Sequence, residues 1–224
     1  MEKEIAVILP CLNEELTIGM VIQQVQKYLP EAKIYVIDNN SDDNSISEAN
    51  KFNNINIIVE QNRGKGNVVK RAFNDIDADI YIMVDTDATY ELCELPNYIK
   101  TFVEKNMDYM NIIREYLDKE QYNPIRKIGN ILFNLCLKTL LGPYSNDILS
   151  GFKIFSKKFV KEFEVKTNGF EIETEMYLFA RKNNYICGEL SCKYYSRIKN
   201  SHSKLSIFKD GFCILKYIVS NIIK

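Results

Sequence analysis

Residues 81–96 read YIMVDTDATYELCELP, and the apolar run that opens this stretch starts two positions earlier as DIYIMVD, 79–85. It ends on two carboxylates two positions apart, Asp85 and Asp87. A buried strand has no need of acids at its end, and like charges this close repel unless a cation or hydrogen-bond donors lie between them. The stretch therefore reads as a strand that delivers a binding site. Three further short β-rich runs precede it, IAVIL at 5–9, IYVID at 34–38 and INIIV at 55–59, and MDYMNII at 107–113 follows, ending in Arg114. Continuous apolarity of this kind suits strands covered on both faces. Between them, 14–29, 42–52 and 66–76 place apolar residues at helical spacing. This rhythm predicts an α/β fold with a mostly parallel central sheet flanked by helices, and ligands on such sheets bind at the carboxyl ends of the strands.

That rule makes each strand answerable to the residues after it. PCLNEE, DNNSDDNS, EQNRGKGN and DTDATY follow the four strands in turn. One such loop is ordinary turn chemistry; four on one rim read as a site. In the second half, 123–142 and 169–184 have helical periodicity, 185–195 reads as a strand, and 204–223 reads as a final amphipathic helix.

The chain has 224 residues, 46% of them hydrophobic, enough for one substantial core. With 29 Lys and Arg against 30 Asp and Glu, the balance gives no sign of a nucleic-acid partner. Six cysteines without a CxxC pair and a single histidine, His202, argue against a zinc site. The opening MEKEIAVILP runs straight into a strand and shows no basic-then-apolar leader, so a cytoplasmic protein with free thiols is expected. From Lys193 to Lys224 seven cations face one acid, Asp210. That bias fits a solvated face, or a surface that meets phosphates or anionic lipid.

Oxygen-only ligands such as Asp85 and Asp87 suit Mg2+ or Mn2+, which bind through one or two carboxylates plus substrate phosphates. NRGKGN, 62–67, opens a helix with two glycines and two cations, so its backbone N–H groups and Lys65 suit a phosphate pocket, or simply start a helix. DNNSDD, 38–43, offers acceptors for a base or ribose, or an N-cap turn. Asp147, and Glu171, Glu173 and Glu175 at a helix start, include candidates to orient an acceptor or take a proton; acids in a first turn also serve as plain dipole partners.

Taken in order, PCLNEE, VIDNNSDDNS, NRGKGN, MVDTDATY, DILSGFKIFSKKFV, GFEIETEM and SHSKLSIFKDGFCIL resemble the motifs of family 2 glycosyltransferases. The subgroup they are most similar to is that of dolichyl-phosphate mannose synthase and its bacterial polyprenyl-phosphate sugar transferase relatives. The resemblance implies a GT-A, Rossmann-like nucleotide-sugar transferase fold over 1–224, with a nucleotide-sugar-binding half at 1–114, an acceptor half at 115–200 and the C-terminal amphipathic helix at 201–224. It implies an inverting, metal-dependent transfer of a hexose or N-acetylhexosamine from a GDP- or UDP-sugar to polyprenyl phosphate. A sugar hydroxyl in an envelope glycan is the alternative acceptor.

Carried onto this chain, the resemblance makes Pro10, Leu12 and Glu14 the nucleotide-contacting first loop. Asp38 and Asn39 stand where the family has two acids that read base and ribose; the amide is a departure that leaves GDP and UDP both open. Asp85 and Asp87 become the nucleotide and metal acids, with Thr86 between them beside the donor and Thr89 where the mannose synthases have a metal-contacting Gln. Arg114, and Arg126 with Asn130, match positions facing the diphosphate and the acceptor phosphate. Arg197 and Lys204 match a basic loop closing over the donor, and Asp147 matches the acid before the Ser-Gly pair. A nucleotidyltransferase is disfavoured because PCLNEE replaces the Gly-rich loop it needs after the first strand. A non-catalytic binding module is disfavoured by the presence of both Asp85 and Asp87. Many relatives continue into transmembrane helices, whereas here the end is only amphipathic, either packed on the core or resting on a bilayer surface.

Overall fold

Alternation along β1, Ile5–Cys11, sets the layout. Ala6 and Ile8 pack into one core and Val7 and Leu9 into another, so the strand is buried on both faces, as its unbroken apolarity requires. The computed structural model describes residues 3–117, 147–204 and 206–222. The helix expected at 123–142, with Arg126 and Asn130, lies outside the described residues.

Seven strands form one mixed sheet in the order β3-β2-β1-β4-β6-β5-β7. They are β1, β2 (Lys33–Asp38), β3 (Ile55–Val59), β4 (Ile80–Met83), β5 (Tyr109–Tyr116), β6 (Lys153–Ser156) and β7 (Cys187–Tyr194). β1 to β4 pair in parallel, so the four loops after them share one edge. β6 runs antiparallel between β4 and β5, and β7 pairs in parallel with β5.

One face is covered by α1 (Ile18–Tyr28), the short α2 (Ser45–Ala49) and α4 (Leu95–Glu104). The other is covered by α3 (Lys65–Asp75), α5 (Lys157–Glu162), α6 (Ile172–Lys182) and α7 (Ile207–Ile222). An aromatic cluster of Phe73, Phe155, Phe159, Phe163 and Phe179 fills this second layer, with ring centroids 5.1–6.2 Å apart.

Four elements depart from the expectation. The run 79–85 is a strand only as far as Met83, so Asp85 and Asp87 stand in a turn, with Ala88 at φ 56°, and strand alternation does not align them. β6 and α5 arise from KIFSKKFVKE, where four residues are too few to show a period and a lysine interrupts them. α4 was not anticipated either; it carries Pro96 in its first turn and buries Leu95, Tyr98 and Phe102 at helical spacing.

Burial also governs the thiols. It pushes Cys11 up to about 12 and Cys192 up to about 11. At pH 8 the native protein should therefore alkylate at the half-buried Cys93 and Cys213 well before Cys11 or Cys192. Peptide mass spectrometry after a timed iodoacetamide pulse checks this order.

Candidate functional site

The loops after β1 to β4 are stitched together at the carboxyl edge. The Thr86 hydroxyl donates to the Pro10 carbonyl at 2.7 Å, joining the turn after β4 to the end of β1. The Glu14 backbone N–H donates to the Ser45 hydroxyl at 2.7 Å and that of Asn13 to Ser41 at 2.9 Å. Leu12 lies half-buried in the same loop. The four loops thus form one rim rather than four independent turns.

Asp85 and Asp87 take different partners on that rim. The Lys65 ammonium lies 2.6 Å from Asp85. Burial alone would raise the Asp85 carboxyl, but the Lys65 charge and hydrogen bond outweigh it and hold it low. Asp87 is buried and ion-paired with the Arg197 guanidinium, and Thr89 donates to its other oxygen from both hydroxyl (2.5 Å) and backbone N–H (3.2 Å). Burial pushes the Asp87 carboxyl up and the charge on Asp85 adds to it, with Arg197 opposing both. Thr89 is wholly buried, so in this arrangement it orients Asp87.

Glu14 shares the Arg197 guanidinium, at 3.6 Å, and lies 3.5 Å from Lys204, whose ammonium also donates to the Asn13 carbonyl at 2.9 Å. Burial raises the Glu14 carboxyl against the pull of Lys204 and Arg197. The 197–204 segment therefore lies across the rim and brings two cations to acids from β1 and β4.

Asp38 and Asn39 divide sharply. Asn39 donates to the carbonyls of Glu60 (3.1 Å) and Asn62 (2.8 Å) and accepts from the Gly64 N–H at 2.6 Å. Both ends of its amide clasp the loop after β3. Asp38 accepts from the Ser41 N–H at 3.1 Å through one oxygen, while the other is buried without a protein partner. Of the two, only Asp38 retains unused acceptor capacity.

The glycines of NRGKGN serve packing. A Cβ on Gly64 would lie 2.1 Å from the Asn168 carbonyl oxygen, and one on Gly66 would lie 2.1 Å from that of Thr167. The Gly66 N–H donates to Asn168 at 2.9 Å, so part of the helix start is already satisfied by backbone. Lys65 points inward instead, to Asp85 and, at 2.7 Å, to Glu173.

Asp147 is held by Arg114, whose guanidinium reaches both carboxylate oxygens at 2.6 Å and whose backbone N–H adds a third bond at 3.1 Å. The guanidinium also lies over the Tyr194 and Tyr116 rings at 5.4 and 5.8 Å. In the Ser-Gly pair after it, Ser150 bonds the buried Tyr90 hydroxyl at 3.0 Å, and the Gly151 N–H donates to the same hydroxyl at 3.0 Å. Sequence reasoning missed Tyr90 and Lys153; a tyrosine three positions past a DxD carries no local signal of a partner sixty residues on. The acids of α6 are more than dipole partners: Glu175 accepts the Lys166 and Thr167 N–H groups at 2.8 and 2.9 Å, and Glu173 binds two lysines.

Among the described residues no cluster of three acidic, His or Cys side chains stands ready to hold a metal ion. Asp85 and Asp87 bring two carboxylates to this rim, each now paired with a side-chain cation, and oxygen donors of this kind suit a hard divalent ion that completes its shell with phosphate oxygens and water. The Arg197 guanidinium on Asp87 marks a place where a cation is taken. The residues present fit Mg2+ or Mn2+.

The sequence model of glycosyl transferase family 2 matches residues 6–163. The chain is 28% identical over 217 residues to the UDP-N-acetylglucosamine–dolichyl-phosphate N-acetylglucosaminyltransferase of Methanococcus voltae, covering 86% of each chain. It is 24% identical over 216 residues to the dolichyl-phosphate hexose transferase of Haloferax volcanii, covering 96% of this chain and 92% of that one. Among solved structures, glucosyl-3-phosphoglycerate synthase from Mycobacterium tuberculosis, in complex with Mn2+, UDP-glucose and phosphoglyceric acid, shares the GT-A fold at TM-score 0.76. That likeness covers 98% of this chain and 80% of that chain at 16% identity. A sheet whose four parallel strands deliver their loops to one acid-lined rim, together with a family model spanning most of the chain, makes this protein a member of glycosyl transferase family 2.

Proposed function

We propose that the enzyme is an inverting, metal-dependent transferase that moves a hexose or N-acetylhexosamine from a nucleotide-sugar to a polyprenyl phosphate. The observation that carries the acceptor choice is the Arg114 clamp on Asp147. A sugar hydroxyl needs a base to take its proton, whereas a lipid phosphate is already anionic at neutral pH. An acid with both oxygens on a guanidinium suits positioning better than proton transfer. The two relatives named for dolichyl phosphate acceptors support the same choice.

In this reading Asp85 and Asp87 hold Mg2+ or Mn2+, which, when bound, neutralises charge on the departing nucleoside diphosphate. Arg197 and Lys204, already drawn to this rim by Asp87 and Glu14, exchange those carboxylates for phosphate oxygens as the donor enters, adding charge stabilisation where the leaving group becomes more anionic. Asp38, with its unused oxygen, reads the nucleoside, and Asn39 holds the loop behind it.

α7 supports a membrane-surface acceptor. Ile214 and Ile218 pack on the core while Phe212, Leu215 and Val219 face outward with Lys209 and Lys216 exposed. No described helix is long and apolar enough to cross a membrane. An apolar stripe flanked by lysines suits the headgroup region of an anionic bilayer.

Thermal stabilisation across UDP- and GDP-sugars, each with and without Mn2+ or Mg2+, tests the donor half. At 100-fold excess over the dissociation constant, binding adds about 2.7 kcal/mol. One nucleotide should shift the melting temperature only with metal. Transfer of labelled sugar to polyprenyl phosphate tests the acceptor half, with Asp147→Asn keeping at least a few per cent of turnover if the acceptor is a phosphate. Near-complete loss in a variant that still folds would favour the hydroxyl acceptor instead.

A further inference from the structure

Four charges, the half-buried Asp85 and Lys65 and the buried Glu173 and Lys153, link the rim to the interior. Lys65 lies 2.6 Å from Asp85 and 2.7 Å from one Glu173 oxygen; Lys153 lies 2.7 Å from the other. Lys153, fully buried on β6, also donates to the carbonyls of Ile148 (3.3 Å) and Ser150. The turn it holds carries Asp147 at one end and Gly151 at the other. Gly151 returns to the start of the chain of contacts, since a Cβ there would lie 1.9 Å from Asp85. The contacts therefore close a ring through the turn after β4, α3, α6, β6 and the 147–151 turn.

Stability does not account for such an arrangement. Buried ion pairs are often replaceable by apolar groups without loss, because desolvation offsets the attraction. What the ring does supply is a fixed distance between two parts of the site. Asp85 belongs to the donor side, and the 147–151 turn carries the Arg114–Asp147 pair. Among the described residues, Glu173 is the one group that touches both lysines.

We propose that Glu173 is a positioning residue that fixes Lys65 against Asp85 and Lys153 against the 148–150 carbonyls, so that the metal-nucleotide acid and the acceptor-side turn are set by one carboxylate. This rests on the donor reading above, in which Asp85 meets a divalent ion and diphosphate. With Glu173 neutral, the Lys65 ammonium has Asp85 as its only carboxylate partner in the ring and screens it more fully from an incoming cation. Partners of metal-binding carboxylates commonly shift metal affinity in this way.

Glu173→Gln alone strands Lys153 as a buried unpaired cation and is expected to lower the melting temperature, so the informative variant is Glu173→Gln with Lys153→Met. Removing both charges should return stability close to that of the parent. Calorimetric titration with Mn2+ plus UDP, and with Mn2+ plus GDP, should still show affinity weakened by about 10- to 100-fold. Amide exchange at Ser150 and Gly151 should rise by about tenfold or more, since the turn has lost its ammonium anchor. A double variant that matches the parent in both affinity and exchange overturns the assignment. So does an equal loss of affinity in Glu175→Gln, which changes the same helix without touching either lysine. If the parent itself binds neither nucleotide, the donor reading fails, and exchange at Ser150 and Gly151 in Glu173→Gln alone, where Lys153 is kept, decides the role of Glu173: unchanged exchange overturns it.

Discussion

Asp87→Asn is expected to cut transferase activity by about 10³-fold or more, equivalent to about 4 kcal/mol of barrier, while the protein folds normally. The amide keeps the shape of the side chain and can still bond Thr89, but it no longer offers a charge to a divalent ion. The stability outcome has the opposite sign. Burial and the neighbouring Asp85 raise the Asp87 carboxyl in the folded protein, so its ionised form opposes folding. For an acid raised in this way, the folded state is favoured below the unfolded value and that advantage disappears as pH rises through the folded value. Asn removes the titration, so in EDTA the variant should be at least as stable as the parent at neutral and higher pH, with the gap closing as pH falls and Asp87 protonates. Steady-state rates together with melting curves across pH check both halves. A variant that loses activity and stability in parallel at neutral pH would show that Asp87 is structural.

Gly151→Ala should also cut activity, through geometry alone. The added methyl would sit 1.9 Å from one Asp85 oxygen and 2.2 Å from its carboxyl carbon, so either Asp85 or the turn must move. Asp85 is a short side chain held by Lys65, and Gly151 is held by Tyr90 through its N–H, so neither gives way freely. Overpacking of this kind costs about 1–3 kcal/mol of stability. Displacing a positioned catalytic group by about 1 Å costs about 10²-fold in rate, so activity should fall by about that factor even where the fold survives. Comparing turnover with donor affinity locates the damage: weakened Mn2+-dependent nucleotide binding implicates Asp85, and unchanged binding with reduced turnover implicates the turn. Wild-type turnover would mean that the backbone at Gly151 yields.

Both effects depend on contacts of very different sequence range. Asp87 and Thr89 are two positions apart, so the turn chemistry that makes Asp87 important is visible in DTDAT. Gly151 and Asp85 are sixty-six positions apart, and nothing in the local text of either shows that one leaves room for the other. The same division holds for Asn39. As the residue after an apolar strand it reads as a ligand, yet its amide is consumed by Glu60, Asn62 and Gly64, which only the pairing of β2 with β3 brings within reach.

By itself, the sequence determined the parallel strands β1 to β4, the α1 and α3 helices between them, and the edge at which their loops meet. Hydrophobic periodicity is a local signal, and a strand buried on both faces writes it without interruption. The ordered series of motifs determined the family. The tertiary structure alone decided that β6 enters antiparallel between β4 and β5, because a four-residue strand carrying a buried lysine has no period to read. It alone decided that Arg114 closes on Asp147, that the glycines of NRGKGN admit the backbone of 167–168, and that Glu173 joins Lys65 to Lys153. Each of those is a choice of partner across tens of residues. A charged side chain announces that it needs a counter-charge, and only the fold specifies which one it meets.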